Sequence, residues 1–339
     1  MPEEMNYSKA GVNIEREVIA IKNIKKWVGK TFDFRKGKTG EVMNEVGLFA
    51  NVIDMGDYAL AMCMDGVGSK VLVAQELKKY DTVGIDLVAM NVNDVICLGA
   101  EPIALVDYMG FATTDPDLAR DLAIGLYEGC KQSNIACVGG ETATLPEIIT
   151  GAEGRNGFDL VATVIGIVKK EKIITGEKIA PGDVVIGFKS SGIHSNGLTL
   201  ARKVLPRNMW STILTPTRIY VQEALELMSK FDIHGFAHIT GSGFLNLPRL
   251  TKYGFELEGI QEGMVFKKIA ELGNIPDKEM YKTFNMGIGF CAVVDAATGE
   301  KIVEQYGDKY GLYKIGKVVE EPGVRITKNG ATFKLEGKK

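Results

Sequence analysis

Short apolar runs bounded by glycine, proline and polar residues recur along the chain, and their lengths are typical of β-strands. Five of them lie in the first 190 residues: Tyr58–Met64, Ile103–Phe111, Ile135–Val138, Leu160–Val168 and Val184–Phe188. More strands are expected near residues 288–294, 313–319 and 324–335, and Asn329-Gly330 is a typical type I′ hairpin turn within the last of these ranges. The pattern predicts a protein rich in β-sheet.

Apolar residues at helical spacing separate several of these strands. Helices are predicted at two places: from Asp115-Pro116 to about Asn134, and from Thr215-Pro216 to Lys230. The alternation of the two periods favours a mixed α/β (α+β) fold. The charged run Lys169–Lys172 follows a strand and precedes a new start, so we expect two domains, residues 1–170 and 171–339.

Composition and charge indicate what kind of partners and what cellular compartment to expect. The 339 residues carry a formal net charge of −3 with lysines spread along the chain, so neither nucleic acid nor a membrane surface is an expected partner. Five cysteines without CxxC spacing, mostly within apolar runs, indicate reduced core thiols. The first residues include acids and no apolar run approaches 18 residues, which favours a cytoplasmic protein.

The segment Asp65-Gly66-Val67-Gly68-Ser69-Lys70 begins where an apolar strand ends. Gly66 and Gly68 permit close approach of the backbone to a ligand, so amide groups here and the Lys70 charge can face phosphate oxygens. The order does not fit a Walker A loop, and an ordinary glycine turn explains the loop alone about as well. An ionised Asp65 in apolar surroundings needs a compensating cation, and our hypothesis is magnesium carrying a polyphosphate.

A helix predicted over Val83–Leu98 adds further polar groups. Asp86 and Asn93 nearly superimpose in helical projection, and Asp94 lies about 80° round the axis. On an arbitrary helix, surface or capping carboxylates are the commoner interpretation. The apolar run Leu87–Met90 leaves little solvated face, which indicates a buried helix whose polar groups need partners.

Two more acids interrupt apolar segments in the first half. Gly140-Glu141 follows a strand as Asp65 does, so Glu141 is a further candidate metal or nucleotide ligand. Asp107 interrupts an apolar run and is either another ligand or an edge residue of a strand.

Polar turns in the second half resemble anion-binding sites. Ser190, Ser191 and His194 precede a helix expected near Leu198, and a helix N-terminus binds anions readily. A serine cap with a solvent histidine also fits this segment. Comparable turns are found at Thr240-Gly241-Ser242 and around Asn285.

Nine ordered blocks carry a family resemblance: YSKAGVNI, DGVGSK, DTVGIDLVAMNVNDV, GAEPIALVDYM, CVGGETATLPE, SSGIHSNG, TPTRIYV, HITGSGF with NLPRL, and EMYKTFNMGIGF. Together they resemble the aminoimidazole ribonucleotide synthetases, the phosphoribosylformylglycinamidine cyclo-ligases of purine synthesis. Ser69, Asn91 and Ser242 depart from the residues more usual in that family. The segment Val42–Val52 lacks the glycine richness of bacterial relatives, so the residues that form the N-terminal ATP loop stay unassigned.

The resemblance implies two α/β domains, with the N-terminal halves of two chains joined in a β-barrel shared across a homodimer. It also implies ATP-dependent ring closure of formylglycinamidine ribonucleotide, with ATP and Mg²⁺ bound near the dimer cleft. Phosphorylation of the formyl amide oxygen would precede attack by the amidine nitrogen and loss of phosphate. Such phosphoryl transfer depends on positioning and charge neutralisation more than on covalent chemistry from the protein.

The resemblance also implies a set of site residues. Metal ligands are expected at Asp65, Asp94 and Glu141, and other nucleotide contacts at Gly66, Gly68, Ser69, Asp86, Asn93 and Gly140. Catalytic roles fall to Asp94, Lys70 and His194, and substrate contacts to Ser190, Ser191, Thr240, Gly241, Ser242 and Asn285. Another ATP-using member of the superfamily, such as a thiamin monophosphate kinase, and a non-catalytic nucleotide-binding protein are the alternatives. Which carboxylates contact the metal directly stays open.

Overall fold

The computed structural model describes residues 14–44 and 47–336, so the block YSKAGVNI lies outside them except for Ile14. Two β-sheets, each formed by one half of the chain, organise a two-domain α/β fold. No helix within these described ranges is both long and apolar enough to cross a membrane.

The first sheet has the strand order β1-β2-β5-β3-β4. Its strands are β1 Asn51–Asp54, β2 Tyr58–Gly66, β3 Glu101–Phe111, β4 Ala136–Thr144 and β5 Phe158–Lys169. β3 and β4 are parallel, and the other neighbours are antiparallel. Alternate residues of β2 face opposite sides of this sheet, so Ala59 and Ala61 are fully buried while Met62 and Met64 are exposed.

Helices cover one face of the first sheet. The helices of this half are α1 Ile14–Val28, α2 Val71–Leu77, α3 Val83–Ile96 and α4 Pro116–Ser133. α3 packs on β2 and β5 and contacts α4 closely, because Gly84 has no side chain there: a Cβ at that position would lie 2.3 Å from the Leu126 amide nitrogen. α3 is buried along most of its length, as the sequence predicts.

The second sheet has the order β12-β11-β8-β10-β6-β9-β7. Its strands are β6 Val184–Lys189, β7 Gly235–His238, β8 Gly254–Glu258, β9 Ile288–Val294, β10 Leu312–Val319, β11 Gly323–Lys328 and β12 Ala331–Leu335. Helices of this half are α5 Leu198–Val204, α6 Trp210–Ile213, α7 Val221–Lys230, α8 Met264–Gly273, α9 Asp277–Thr283 and α10 Ala296–Tyr310. β8 and β11 are parallel, and all other paired neighbours are antiparallel.

Most predicted elements are confirmed, with two differences. The helix predicted from Thr215-Pro216 is wrong over residues 215–220, because α7 begins only at Val221 and Thr217 and Tyr220 instead bond to α3. The strand predicted at Ile135–Val138 continues to Thr144. The Asn329-Gly330 turn is confirmed, since both residues have positive φ, 50° and 79°, between β11 and β12.

Candidate active site between the two domains

Three polar turns of the second domain meet at one edge of its sheet. β6 and β7 both pair antiparallel with β9, so β6 and β7 run parallel and their carboxyl ends lie at the edge where β9 begins. Ser190 follows β6, Thr240 follows β7, and Asn285 precedes β9. Residues predicted to contact substrate from three separate blocks are therefore brought to one place.

Hydrogen bonds order this edge. The Ser190 hydroxyl donates to Asn285 Oδ1 at 3.0 Å, and Asn285 Nδ2 donates to the Gly192 carbonyl at 2.9 Å. In the neighbouring turn, Asn246 Nδ2 donates to the Gly241 carbonyl at 3.0 Å, and Ser242 takes a left-handed φ of 77°. The predicted substrate residues thus form two ordered turns.

The facing wall belongs to the first domain, where β2 ends at Asp65 and Gly66. The backbone of Asp65 is held by Asn91 of α3, whose Oδ1 accepts from the Asp65 amide at 2.9 Å and whose Nδ2 donates to its carbonyl at 3.2 Å. Burial and, second, the charge of Asp94 raise the pKa of Asp65 to about 6. A cation bound between these two carboxylates would relieve their mutual repulsion.

Asp94 links this wall to the second domain. Its Oδ1 accepts a hydrogen bond from Nδ1 of His238, the last residue of β7, at 2.8 Å. Its Oδ2 accepts a hydrogen bond from the Cys63 thiol, at 3.7 Å, and from no other group in the described part of the chain. The Asp94 side chain is 15% exposed, whereas that of His238 is fully buried. One carboxylate oxygen of Asp94 is therefore fixed and the other is left with a weak donor.

Asp86 and Lys70 form a fully buried ion pair with each other. Lys70 Nζ lies 2.8 Å from Asp86 Oδ1 and donates to the Thr215 carbonyl at 2.6 Å. Asp86 Oδ1 also accepts from the Thr217 amide and hydroxyl and from the Ser195 hydroxyl, at 2.7, 2.6 and 3.1 Å. Burial lowers the pKa of Lys70, while Asp86 opposes that shift. Their placement makes them an interdomain contact, and their predicted roles toward nucleotide stay predictions.

Asn93 and Ser69 also lie on the interdomain contact. Asn93 Oδ1 accepts from the Tyr220 amide and Nδ2 donates to the Arg218 carbonyl, both at 2.9 Å. The Ser69 hydroxyl lies 3.1 Å from that of Thr199. Like Asp86, Asn93 contacts the segment 215–220, which agrees with the shared helical face predicted for these two side chains.

His194 lies behind the predicted substrate turns with a left-handed φ of 59°. Its Nε2 accepts from the Ser191 amide at 3.4 Å, and its buried Nδ1 has no hydrogen-bond partner within residues 14–44 and 47–336. Burial lowers the pKa of His194 well below its ordinary value, so the imidazole is neutral at physiological pH. Ser191 is exposed and donates through its hydroxyl to the Pro216 carbonyl at 2.6 Å.

Glu141 lies far from Asp65 within one chain. The residues Asp65, Ala162, Asp107 and Gly140 form one row across β2, β5, β3 and β4. Three strand spacings of ~4.8 Å separate the ends of this row by about 14 Å. Glu141 is exposed on the edge strand β4, and Asp107 beside it accepts from the Cys137 thiol at 3.6 Å. The third predicted metal ligand is therefore not beside the other two.

The site residues fit Mg²⁺ only when nucleotide phosphates and water supply the remaining ligands of the ion. In the described part of the chain, no three histidine, cysteine or acidic side chains gather into a group that could hold a metal ion. Mg²⁺ is usually held by one or two carboxylates together with nucleotide phosphates and water. Asp65 and Asp94 meet that requirement, and Gly68, with a φ of 64°, lets the following backbone turn beside them.

Several contributors escaped the sequence analysis. His238, Asn91 and Thr217 orient three of the predicted acids, yet none of them was given a role. His238 and Thr217 lie in two of the sequence blocks that carry the family resemblance, and this position could have marked them as candidate site residues. A separate cleft of about 740 Å³ near His234 and the segment 171–178 contains none of the predicted site residues, so the site is not there.

The fold and site define a two-domain α/β protein with a carboxylate pair between its domains. Two family models match the chain: the N-terminal domain of AIR synthase related protein over residues 49–168, and the C-terminal domain of AIR synthase related protein over residues 180–329. The chain therefore belongs to the AIR synthase related protein family.

Curated relatives match over nearly the full length. The chain is 48% identical over 337 residues to a phosphoribosylformylglycinamidine cyclo-ligase of Thermococcus kodakarensis, covering 96% of this chain and 99% of that protein. It is 48% identical over 340 residues to the protein of the same name in Pyrococcus furiosus, covering 97% and 99%.

Solved structures share the fold at low identity. A hydrogenase maturation protein HypE in complex with ATP has a TM-score of 0.63 and 16% identity, with 83% of this chain and 85% of that chain covered. AaThiL complexed with AMPPCP and TMP has a TM-score of 0.65 and 15% identity, with 93% and 95% covered. At such identities the likeness establishes the architecture alone.

Proposed function

We propose that this protein cyclises formylglycinamidine ribonucleotide to 5-aminoimidazole ribonucleotide with hydrolysis of ATP to ADP and phosphate, as a cytoplasmic homodimer of purine biosynthesis. The 48% identity to curated cyclo-ligases over nearly the whole chain carries this proposal. The Asp65–Asp94 pair supports the use of a magnesium nucleotide, and the ATP bound to the HypE relative is consistent with it. The relatives with other chemistry share only 15–16% of their residues with this chain.

The first step would transfer the terminal phosphoryl group of ATP to the formyl amide oxygen of the substrate. Mg²⁺ bound with ATP would neutralise charge on the transferred group. Asp65 and Asp94 would hold that ion, and the Gly66–Gly68 turn would let backbone amides approach the phosphates. The amidine nitrogen then attacks the activated carbon and inorganic phosphate leaves.

The two ordered turns of the second domain would bind the ribonucleotide. Hydroxyl and amide groups at Ser190–Gly192 and at Thr240–Ser242 suit the 5′-phosphate, since phosphates bind to backbone amides and hydroxyls in such turns. Asn285 joins the first turn through its bond with Ser190. His194 is neutral and has an unused Nδ1, so it would hold or pass a proton during ring closure.

A second copy of the chain would complete the site. Large apolar side chains on the open face of the first sheet are exposed, namely Met62, Met64, Ile103, Val106 and Val138, and such a patch is typical of an interface. β4 is exposed along nearly its whole length, and an exposed edge strand readily meets another chain. A β-barrel shared by two first domains would cover both features. It would also bring Glu141 of one protomer toward the carboxylate pair of its partner.

A turnover assay tests the proposed activity. Purified protein supplied with formylglycinamidine ribonucleotide, ATP and Mg²⁺ should release ADP, phosphate and aminoimidazole ribonucleotide in equal amounts. ATP consumption with thiamin monophosphate but not with formylglycinamidine ribonucleotide would refute the proposal. ATP binding without turnover of either compound would favour a nucleotide-binding protein without catalytic activity.

A further inference from the structure

We infer that His238 is a positioning residue that fixes the Asp94 carboxylate for the magnesium nucleotide. This inference rests on the proposed function through the role of Asp94 as a ligand. His238 lies in the second domain and Asp94 in the first, 144 positions apart in sequence. The orientation of a ligand carboxylate in one domain would thus depend on a strand of the other.

The hydrogen bonds of Asn93 determine the tautomer of His238. The Asn93 Oδ1 faces the Tyr220 amide and its Nδ2 faces the Arg218 carbonyl, so two backbone groups fix the orientation of the side-chain amide. Nδ2 also lies 3.5 Å from His238 Nε2 and is a donor there. Nε2 must then be an acceptor, which leaves the ring hydrogen on Nδ1, the atom that donates to Asp94 at 2.8 Å.

Packing on all sides holds the His238 ring in this position. Its side chain is fully buried, and its backbone pairs with Phe290 of β9, whose ring lies 6.4 Å away between centroids. Because His238 occupies Oδ1, the other oxygen of the carboxylate, Oδ2, is left with only the weak Cys63 thiol donor, close enough to Asp65 for the two acids to interact through their charges. Partners of ligand side chains act in this way on metals, and their loss typically weakens metal affinity about 10–100-fold.

Two substitutions of His238 distinguish the effect of losing its hydrogen bond to Asp94 from the effect of losing its imidazole ring. In His238→Asn the amide can occupy the position of Nδ1 and keep a donor toward Asp94, whereas in His238→Gln it occupies the position of Nε2 and loses that bond. Mn²⁺ binding in the presence of ATP, measured by electron paramagnetic resonance without substrate, should weaken about tenfold or more in His238→Gln. His238→Asn should stay within about threefold of the wild type because the donor is retained.

His234 provides a matched control. Its Nδ1 lies 2.7 Å from Asp183 Oδ2 just before the same strand, so His234→Gln loses a similar pair away from the site. Mn²⁺ affinity in that variant should equal that of the wild type. If His234→Gln weakened Mn²⁺ binding as much as His238→Gln does, the effect would be general destabilisation and the inference would be wrong.

A double-mutant cycle separates this inference from the proposed function. Asp94→Asn should weaken Mn²⁺ binding, and adding His238→Gln to it should cause little further loss, because the two residues act as one unit. An additive double variant, or a His238→Gln protein with unchanged affinity, would overturn the positioning role alone. Unchanged binding in Asp94→Asn would remove the ligand assignment on which the positioning role rests, while the turnover assay with formylglycinamidine ribonucleotide tests the proposed function separately.

Discussion

Asp86 and Asp94 lie on the same helix, and both contact the second domain, yet their surroundings differ. Asp86 is fully buried, and its Oδ1 receives hydrogen bonds from Lys70, Thr217 and Ser195. Asp94 is 15% exposed and receives one strong hydrogen bond, from His238. Four hydrogen bonds converge on Asp86 Oδ1, which joins the domains, while its buried Oδ2 has no partner among the described residues. Asp94 Oδ2 belongs to a partly exposed side chain and has one weak donor, the Cys63 thiol. Exposure and the arrangement of donors, more than the presence of an acid, therefore separate the interdomain contact made by Asp86 from the ligand role that we propose for Asp94.

Removing the Asp86 carboxylate should have the largest effect on stability. Asp86→Ala leaves the Lys70 ammonium buried without its counter-ion, which should lower the free energy of unfolding by about 3–5 kcal/mol. Denaturant unfolding checks this. The double variant Lys70→Met with Asp86→Leu should recover only part of the loss, because it removes the unpaired charge but leaves the Thr217 amide without its acceptor. An Asp86→Ala protein as stable as the wild type would show that the pair does not hold the domains together.

Asp94→Asn should show the reverse pattern. Loss of one ligand carboxylate should reduce turnover about 100-fold, equivalent to ~2.7 kcal/mol of transition-state stabilisation. Its unfolding free energy should change by less than about 1 kcal/mol, because the side chain is partly exposed and an amide can still accept from His238. Kinetics over a magnesium titration together with unfolding curves test both statements. Full activity at every magnesium concentration would exclude Asp94 as a ligand.

The free energy of unfolding of the metal-free protein should also depend on pH through Asp65. Folded Asp65 has a pKa of about 6, against an ordinary value of 3.8, so between these values the folded state binds more protons than the unfolded state. The free energy of unfolding should therefore fall, by about 2 kcal/mol, as pH rises from 4 to above 6. Asp65→Asn should lack this component. Equal pH dependence in the two proteins would contradict the raised pKa.

The sequence predicted most local elements and the face that Asp86 and Asn93 share, but it did not predict contacts between segments that are distant in the chain. Helical periodicity placed Asp86 and Asn93 on one face, and both meet residues 215–220. The Thr215-Pro216 helix start was wrong because bonds from Thr217 and Tyr220 to α3 hold that segment in another conformation. No local pattern joins His238 to Asp94, because the two belong to different domains. The separation of Glu141 from Asp65 depends on the strand order, which periodicity does not contain.

Mixed dimers test whether Glu141 serves the partner's site. In the homodimer that we propose, Asp94→Asn and Glu141→Gln should each be nearly inactive when both protomers carry the same change. In a mixed dimer with Glu141 acting across the interface, one site contains both changes and the other contains neither. Random exchange of protomers makes half of the dimers mixed, so activity should return to about a quarter of the wild-type value. If Glu141 acted within its own chain, every site in the mixture would carry one change and no activity would return. A mixture of Asp94→Asn with Asp65→Asn is the control. Those two acids lie in the same protomer and cannot complement each other, so no activity should return in that mixture.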